Sequence, residues 1–193
     1  MRKNRYIACL VALCLAGPGL ASLARAEPLP ESDRIPVDLR RTTLVVRDID
    51  RSLPLYRDAL GLKLIYDEKI GGGKGPDGKD IPPTIRLVLL RANDDFIGAL
   101  GLMQRLQAPP APPPEFRKAQ AGGMIMVFNV KDLETRFAKI KATPGVTVSQ
   151  EPSNIEYPAP GGGKIPVLFS AVWDADGNFI ELNRILGTPA GRK

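Results

Sequence analysis

Few side chains in this sequence are equipped for chemistry. The chain has 193 residues and no histidine, and its two cysteines, Cys9 and Cys14, both lie near the N-terminus. An iron site of two histidines and a carboxylate cannot be built from it, nor a zinc site with nitrogen ligands. Two short motifs invite a phosphate or a cation. Gly73-x-x-x-x-Gly78-Lys79 has the spacing of a phosphate-binding loop. The next residue is Asp80, a negative charge where that loop needs a magnesium-binding hydroxyl, and the chain runs on toward a strand rather than a helix. The stretch reads as a rim loop able to cover a ligand. Asp174-x-Asp176-x-Asn178 opens like a calcium loop, but Phe179 and Ile185 stand where glycine and glutamate are required. It reads as a hairpin turn. Trp173 and Tyr157 read first as packing residues and second as platforms for a planar ligand.

The elements that position these residues come in two similar sets. A β-branched run at 42–46 predicts a strand. Ile49, Leu53, Tyr56 and Leu60 then make one apolar helical stripe. Asp48 or Asp50 is the helix cap, and Asp50 is favoured because it puts Pro54 nearer the first turn. Gly61 ends the helix in a left-handed position. Leu62, Leu64 and Tyr66 alternate with polar residues as a second strand, and strands follow at 84–90 and 97–104. Five prolines between Gln107 and Gly123 predict an extended linker. The pattern then repeats. Val130-Lys131-Asp132-Leu133-Glu134 echoes Val46-Arg47-Asp48-Ile49-Asp50, and Leu133, Phe137 and Ile140 restate the helical stripe. Thr143-Pro144-Gly145 stops that helix. A strand begins at Val146, a loop is expected at 157–163, and strands are expected at 167–173 and 179–184. Gly161-Gly-Gly-Lys164 echoes Gly71-Gly-Gly-Lys74. The fold class is α+β, with two tandem βαβββ modules, 38–106 and 122–187, joined by the linker 107–121. Neither module can bury its sheet alone, so the two share a core.

Both ends of this pattern resemble the vicinal-oxygen-chelate superfamily, the fold of glyoxalase I, bleomycin-resistance proteins and extradiol dioxygenases. The opening resemblance rests on Val46-Arg47-Asp48-Ile49, Leu55-Tyr56 and Leu60-Gly61-Leu62. The closing one rests on Asp174-Ala175-Asp176-Gly177-Asn178-Phe179-Ile180-Glu181-Leu182. It implies a curved mixed sheet around a central cup that holds a ligand. In metal-dependent members the ligands come from the first and last strands of each half. The matching positions here are Arg41, Gly101, Ile125 and Glu181, and only Glu181 is a ligand type. The resemblance therefore implies no metal and no other cofactor. It implies a cup lined by Arg41, Thr43, Met103, Ile125 (or Met126), Trp173 and Glu181, with Arg41 paired to Glu181 in the metal's place. The activity it implies is metal-independent binding of a small molecule, as in the bleomycin-resistance branch. The alternative is a glyoxalase- or dioxygenase-type lyase or oxidoreductase with a divergent metal site, in which Glu181 is the base. No catalytic residue is assigned.

The first 26 residues read as a secretory leader. Arg2, Lys3 and Arg5 precede an apolar run at 7–17, and Ala24-Arg25-Ala26 is a cleavage site. The apolar run is too short for a stable membrane anchor. The expected product is periplasmic or extracellular, starts at Glu27, has a loose arm at 27–37 and carries no thiol. Removing the leader takes the balance from 27 basic against 21 acidic residues, or +6, to 23 against 21, or +2. That excess gives no reason to expect nucleic-acid binding. The expected partner is a small molecule, and a homodimer is compatible with the fold.

Overall fold

The computed structural model describes residues 31–94, 97–109, 111–116, 120–159 and 162–187. The expected leader, the start of the arm, Pro110 and Gly161 lie outside the described residues. The first module runs β1 (Arg41–Val45), α1 (Ile49–Leu53), β2 (Lys63–Ile70), β3 (Gly73–Lys74), β4 (Asp80–Ile81), β5 (Ile85–Arg91) and β6 (Ala99–Arg105). The second runs β7 (Ile125–Asn129), α2 (Leu133–Lys141), β8 (Thr147–Pro158), β9 (Lys164–Trp173) and β10 (Phe179–Ile185). Each module makes a four-stranded mixed sheet, β1-β6-β5-β2 in one and β7-β10-β9-β8 in the other. β1 is parallel to β6, as β7 is to β10. The strand order and the helix position repeat, so the two modules are copies of one design. The rim loop expected at 71–79 forms the small β3–β4 hairpin, closed by a Lys74–Asp80 ion pair.

Alternation decides which side of each sheet is covered. Leu44, Val46, Val88, Leu90, Leu100 and Leu102 face α1, and Met126, Val130, Leu168, Val172, Ile180 and Leu182 face α2. All belong to one buried cluster with Ile49, Leu53, Tyr56, Leu133, Phe137 and Ile140. The two modules thus share a core, and the two helical stripes are buried in it. Gln104 lies on this covered side, where its Oε1 accepts from the Ile49 N–H at 3.1 Å.

Three local expectations are corrected. Asp48, not Asp50, caps α1, and its carboxylate accepts the Asp50 N–H at 2.9 Å. Ile49 is fully buried and must open the helix, which fixes the cap one residue before it. Asp50 instead pairs with Arg86 at 2.9 Å. Pro54 therefore falls beyond the first turn. Having no N–H to donate, it opens a wider π-helical stretch, Pro54–Ala59, where the Leu60 N–H reaches back to the Leu55 carbonyl at 2.8 Å. Gly61 ends this stretch at φ +78°. The loop expected at 157–163 is shorter, because β8 runs through Tyr157 to Pro158. Bulges between Val148 and Ser153 absorb Pro152, which lets the strand continue.

The proline-rich segment is more than a spacer. Its described residues lie as a strap along the turn between β9 and β10. The Arg47 guanidinium donates to the Pro112 carbonyl at 2.9 Å and to the Asp176 carboxylate at 2.7 Å. Phe116 packs edge-on against Trp173, with ring centroids 6.0 Å apart. At Gly177, φ +85°, an added Cβ would stand 2.8 Å from the Glu115 carbonyl oxygen, so the missing side chain is what lets the strap lie close.

Candidate functional site

Each sheet has one face away from its helix. Register gives the residues there. In the first module Thr43 lies opposite Gly101, Arg41 opposite Ala99, and Val45 opposite Met103. Leu89 and Leu87 continue those rows on β5. In the second module Glu181 lies opposite Val127 and Ala171, and Phe179 opposite Ile125 and Trp173. Gly101 and Glu181 therefore hold equivalent places in the two copies, as do Arg41 and Ile125. The floor is made of small or shielded residues, with Ala99 and Ala171 both buried. The outer strands are open, with Val45 61%, Ile125 41% and Val127 59% exposed. Between the starts of β1 and β6 and the strand β7 runs a cleft of about 240 Å³, lined by Ala99, Ile125 and Val127 from the open faces and by Thr42, Leu100 and Met126 from the covered sides, among others.

Thr43, Met103, Ile125 and Glu181 all fall on these open faces. Met126, the alternative to Ile125, is buried on the helix side. Arg41 lies at the exposed rim and Glu181 is half-buried. The expected Arg41–Glu181 pair is not formed, and among the described residues neither makes an ion pair. Arg41 stands at the start of an edge strand, in the row of Ala99. Glu181 stands in a central strand, in the row equivalent to Gly101. With Arg41 exposed at an edge and Glu181 half-buried in a central strand, each carries its charge without the other.

Trp173 shares the open face but is no free platform. It is 8% exposed, sandwiched by Phe116 from the strap and by Phe179, whose ring centroid is 5.6 Å away. Tyr157 is the better-placed aromatic. The continued β8 puts it opposite Ile165, in the row set of Ala171 and Glu181. Burial first, and then the negative charge of Glu181, push its hydroxyl above the ordinary tyrosine value. Sequence reasoning weighed Tyr157 but left it in a loop. The alternation of Ile155 and Tyr157 with polar Asn154 and Glu156 is the signal for the longer strand.

The positions that hold a metal in related folds do not fit one here. Arg41 brings a positive charge and Ile125 has no donor atom. At Gly101 an added Cβ would stand 2.6 Å from the Thr43 Oγ1 and 3.1 Å from its Cγ2. Thr43 thus fills the space that a ligating side chain at 101 would need. One carboxylate, Glu181, remains, and a hard cation requires several oxygen ligands. Among the described residues no group of three His, Cys, Asp or Glu converges elsewhere.

The closing motif does structural work. Asp174 is 1% exposed. Its Oδ1 accepts the Asp176 and Asn178 N–H groups at 2.9 and 2.8 Å. Its Oδ2 accepts the Tyr56 hydroxyl at 2.7 Å and the Asn178 amide at 2.8 Å. Both oxygens are spent on neutral donors, so the turn is a hairpin and not a calcium loop. Tyr56 comes from the other module, so the motif also ties the halves together.

Paired βαβββ modules with helix-free faces and four equivalent strand positions define a vicinal-oxygen-chelate protein. A profile of the glyoxalase/bleomycin resistance protein/dioxygenase superfamily matches residues 38–182, and the chain belongs to that superfamily. A glyoxalase family protein from Bacillus cereus is 15% identical, with a TM-score of 0.54 over 82% of this chain and 100% of that one. A glyoxalase/dioxygenase from Nostoc punctiforme is 16% identical, with a TM-score of 0.51 over 83% and 98%. A glyoxalase I variant from Zea mays is 22% identical, with a TM-score of 0.51 over 76% of this chain and 46% of that one. Likeness at this level is likeness of fold, and one fold hosts several chemistries. No curated protein matches the chain. No helix among the described residues is long and apolar enough to cross a membrane.

Proposed function

We propose that this protein is exported and binds a small molecule on the open faces of its two sheets, without a metal. The observation that carries the reading is the substitution pattern at the four equivalent positions. Arg41, Gly101 and Ile125 offer no ligand, and Thr43 closes the space over Gly101. The apolar residues around Glu181, with Val127 and Ala171 directly opposite it, form a surface that no helix covers. Uncovered apolar area with a few polar groups is the ordinary composition of a ligand site. Thr43, Met103, Ile125, Val127 and Tyr157 would supply the apolar and adaptable contacts. Glu181 would accept a hydrogen bond from the ligand, and Arg41 would stand at the rim. Trp173 would act from behind, by holding Phe179 and Phe116.

The test is a native mass spectrum of protein purified from its own cells without chelator, with elemental analysis of the same sample. The expected result is a chain starting at Glu27, a retained organic adduct lost on Glu181→Gln, and no stoichiometric divalent metal. A stoichiometric metal in the wild-type protein would overturn the reading and favour a divergent lyase or oxidoreductase.

A further inference from the structure

A cleft of about 470 Å³ lies beside the strap, and none of the four equivalent positions lines it. It is lined by Arg47, Arg51, Pro113, Pro114, Phe116 and Thr147 among others. That volume falls in the range of small-molecule sites, about 300–1,000 Å³. Its walls are fixed from three directions. Arg47 holds the Pro112 carbonyl, Gly177 lets the Glu115 backbone approach, and Phe116 rests on Trp173. Proline adds its own stiffness, because its φ is locked and it has no N–H to be solvated. The strap therefore presents apolar ring faces, and Phe116 remains 46% exposed beside them. The cations differ in state. Arg47 is spent on Asp176 and Pro112. Arg51, one turn further along α1, makes no hydrogen bond or ion pair with a described residue. No carboxylate lines the cleft, so its charge is uncompensated there. Thr147 adds a hydroxyl.

We propose that this cleft is a second binding site, for an aromatic carboxylate. Its ring would lie against Pro113, Pro114 and Phe116, and its carboxylate would take the planar guanidinium of Arg51 by charge-assisted hydrogen bonds. The site does not depend on the binding proposed for the open sheet faces, and the two are tested apart.

Trp173 is the chain's one tryptophan and touches Phe116, so its fluorescence reports the strap. The experiment titrates the full chain with 2-naphthoate and with the neutral isostere 2-naphthalenemethanol, read by that fluorescence and by equilibrium dialysis. Saturable naphthoate binding is expected, weakened about tenfold by Arg51→Gln, as the loss of one charge-assisted contact implies. Phe116→Ala should weaken it too, and Glu181→Gln should leave it unchanged. Arg51 is exposed, so its replacement leaves the fold intact, checked by an unchanged melting temperature. Equal binding of the neutral isostere, indifference to Arg51→Gln, no binding at millimolar naphthoate, or loss on Glu181→Gln in place of Arg51→Gln would each overturn the proposal. The last outcome would put the ring on the open faces instead.

Discussion

Replacing Tyr56 with phenylalanine removes one oxygen from the contact that joins the two modules. The ring stays buried in the shared core, so packing changes little. The lost interaction is the 2.7 Å hydrogen bond from the hydroxyl to Asp174 Oδ2. Both groups are buried, with Tyr56 at 0% and Asp174 at 1% exposure. A hydrogen bond to a charged group contributes about 1.5–3 kcal/mol. Asp174 keeps its three other donors, so the loss should lie near the lower end, about 1.5 kcal/mol. For a domain of this size that is about 3–6 °C in melting temperature. The effect also has a pH signature. Burial first, and then the Asp174 charge, raise the Tyr56 pKa well above its ordinary value in the folded chain. In the unfolded chain it ionises near its ordinary value of about 10. The wild-type hydroxyl therefore contributes its full stability below about pH 10 and loses it as pH rises toward the folded pKa. Phenylalanine has no such proton. Urea denaturation of both proteins should show a constant deficit for Tyr56→Phe from pH 7 to 9, and a narrowing one from pH 10 to 11. The slope there approaches about 1.4 kcal/mol per pH unit. The other tyrosines cancel in the difference. A deficit under about 0.5 kcal/mol, well below the range for a charged hydrogen bond, or one that does not narrow above pH 10, would refute the reasoning.

Other expectations are simpler to state. Arg47→Ala should free the strap, so Trp173 emission should shift to the red and proteolysis between Pro109 and Phe116 should speed up. Gly177→Ala should destabilise by about 1–2 kcal/mol, because it puts a Cβ at positive φ and against the Glu115 carbonyl, and a thermal melt will show it. Arg41→His should add no zinc affinity by calorimetry, since Ile125 and Gly101 still offer no donor. The Arg86 guanidinium hydrogen-bonds Asp67 and holds its pKa below the ordinary carboxylate value. That contribution is present above about pH 4 and is lost as pH falls through the lowered value. Arg86→Met should therefore flatten the acid side of the stability curve, measured by denaturation between pH 5 and 2.

Much of the fold was legible because it is written in local periods. Period two marked the strands, the i, i+4, i+7 stripes marked both helices, and Gly61 and the 143–145 stop marked their ends. The module repeat followed from matching those patterns, and the resemblance, rather than the periods, supplied Thr43, Met103, Ile125 (or Met126) and Glu181 as candidate positions. The misses share a physical cause, which is that each was settled by a partner distant in sequence. Arg47 finds Asp176 129 residues away. Prolines announce an extended segment but not the surface it lies on, so Phe116 gave no sign that it would cover Trp173. Asp50 reads as a cap until Arg86 offers it a partner and burial of Ile49 moves the helix start. The Arg41–Glu181 pair was inferred from four positions that converge on an ion in related folds. Convergence there is a property of the ion's ligands, and it does not follow for residues that share only the strand positions.

The closing motif and the four equivalent positions carry different structural duties. Asp174, Gly177 and Asn178 serve the turn itself, and through Tyr56 and the strap they serve the junction of the two modules. Asp174 holds two backbone N–H groups, one amide and one hydroxyl from the other half. Changing any of them leaves a buried polar group without its partner, at a cost of about 1–3 kcal/mol. Gly101 and Ile125 have no such obligation. They lie on helix-free faces, where a side chain can be exchanged without unpairing a backbone group. Thr43 can then settle over Gly101, and the face becomes apolar around a single carboxylate. The fold is held by residues outside the four equivalent positions, which leaves the side chains at those positions free of any structural duty.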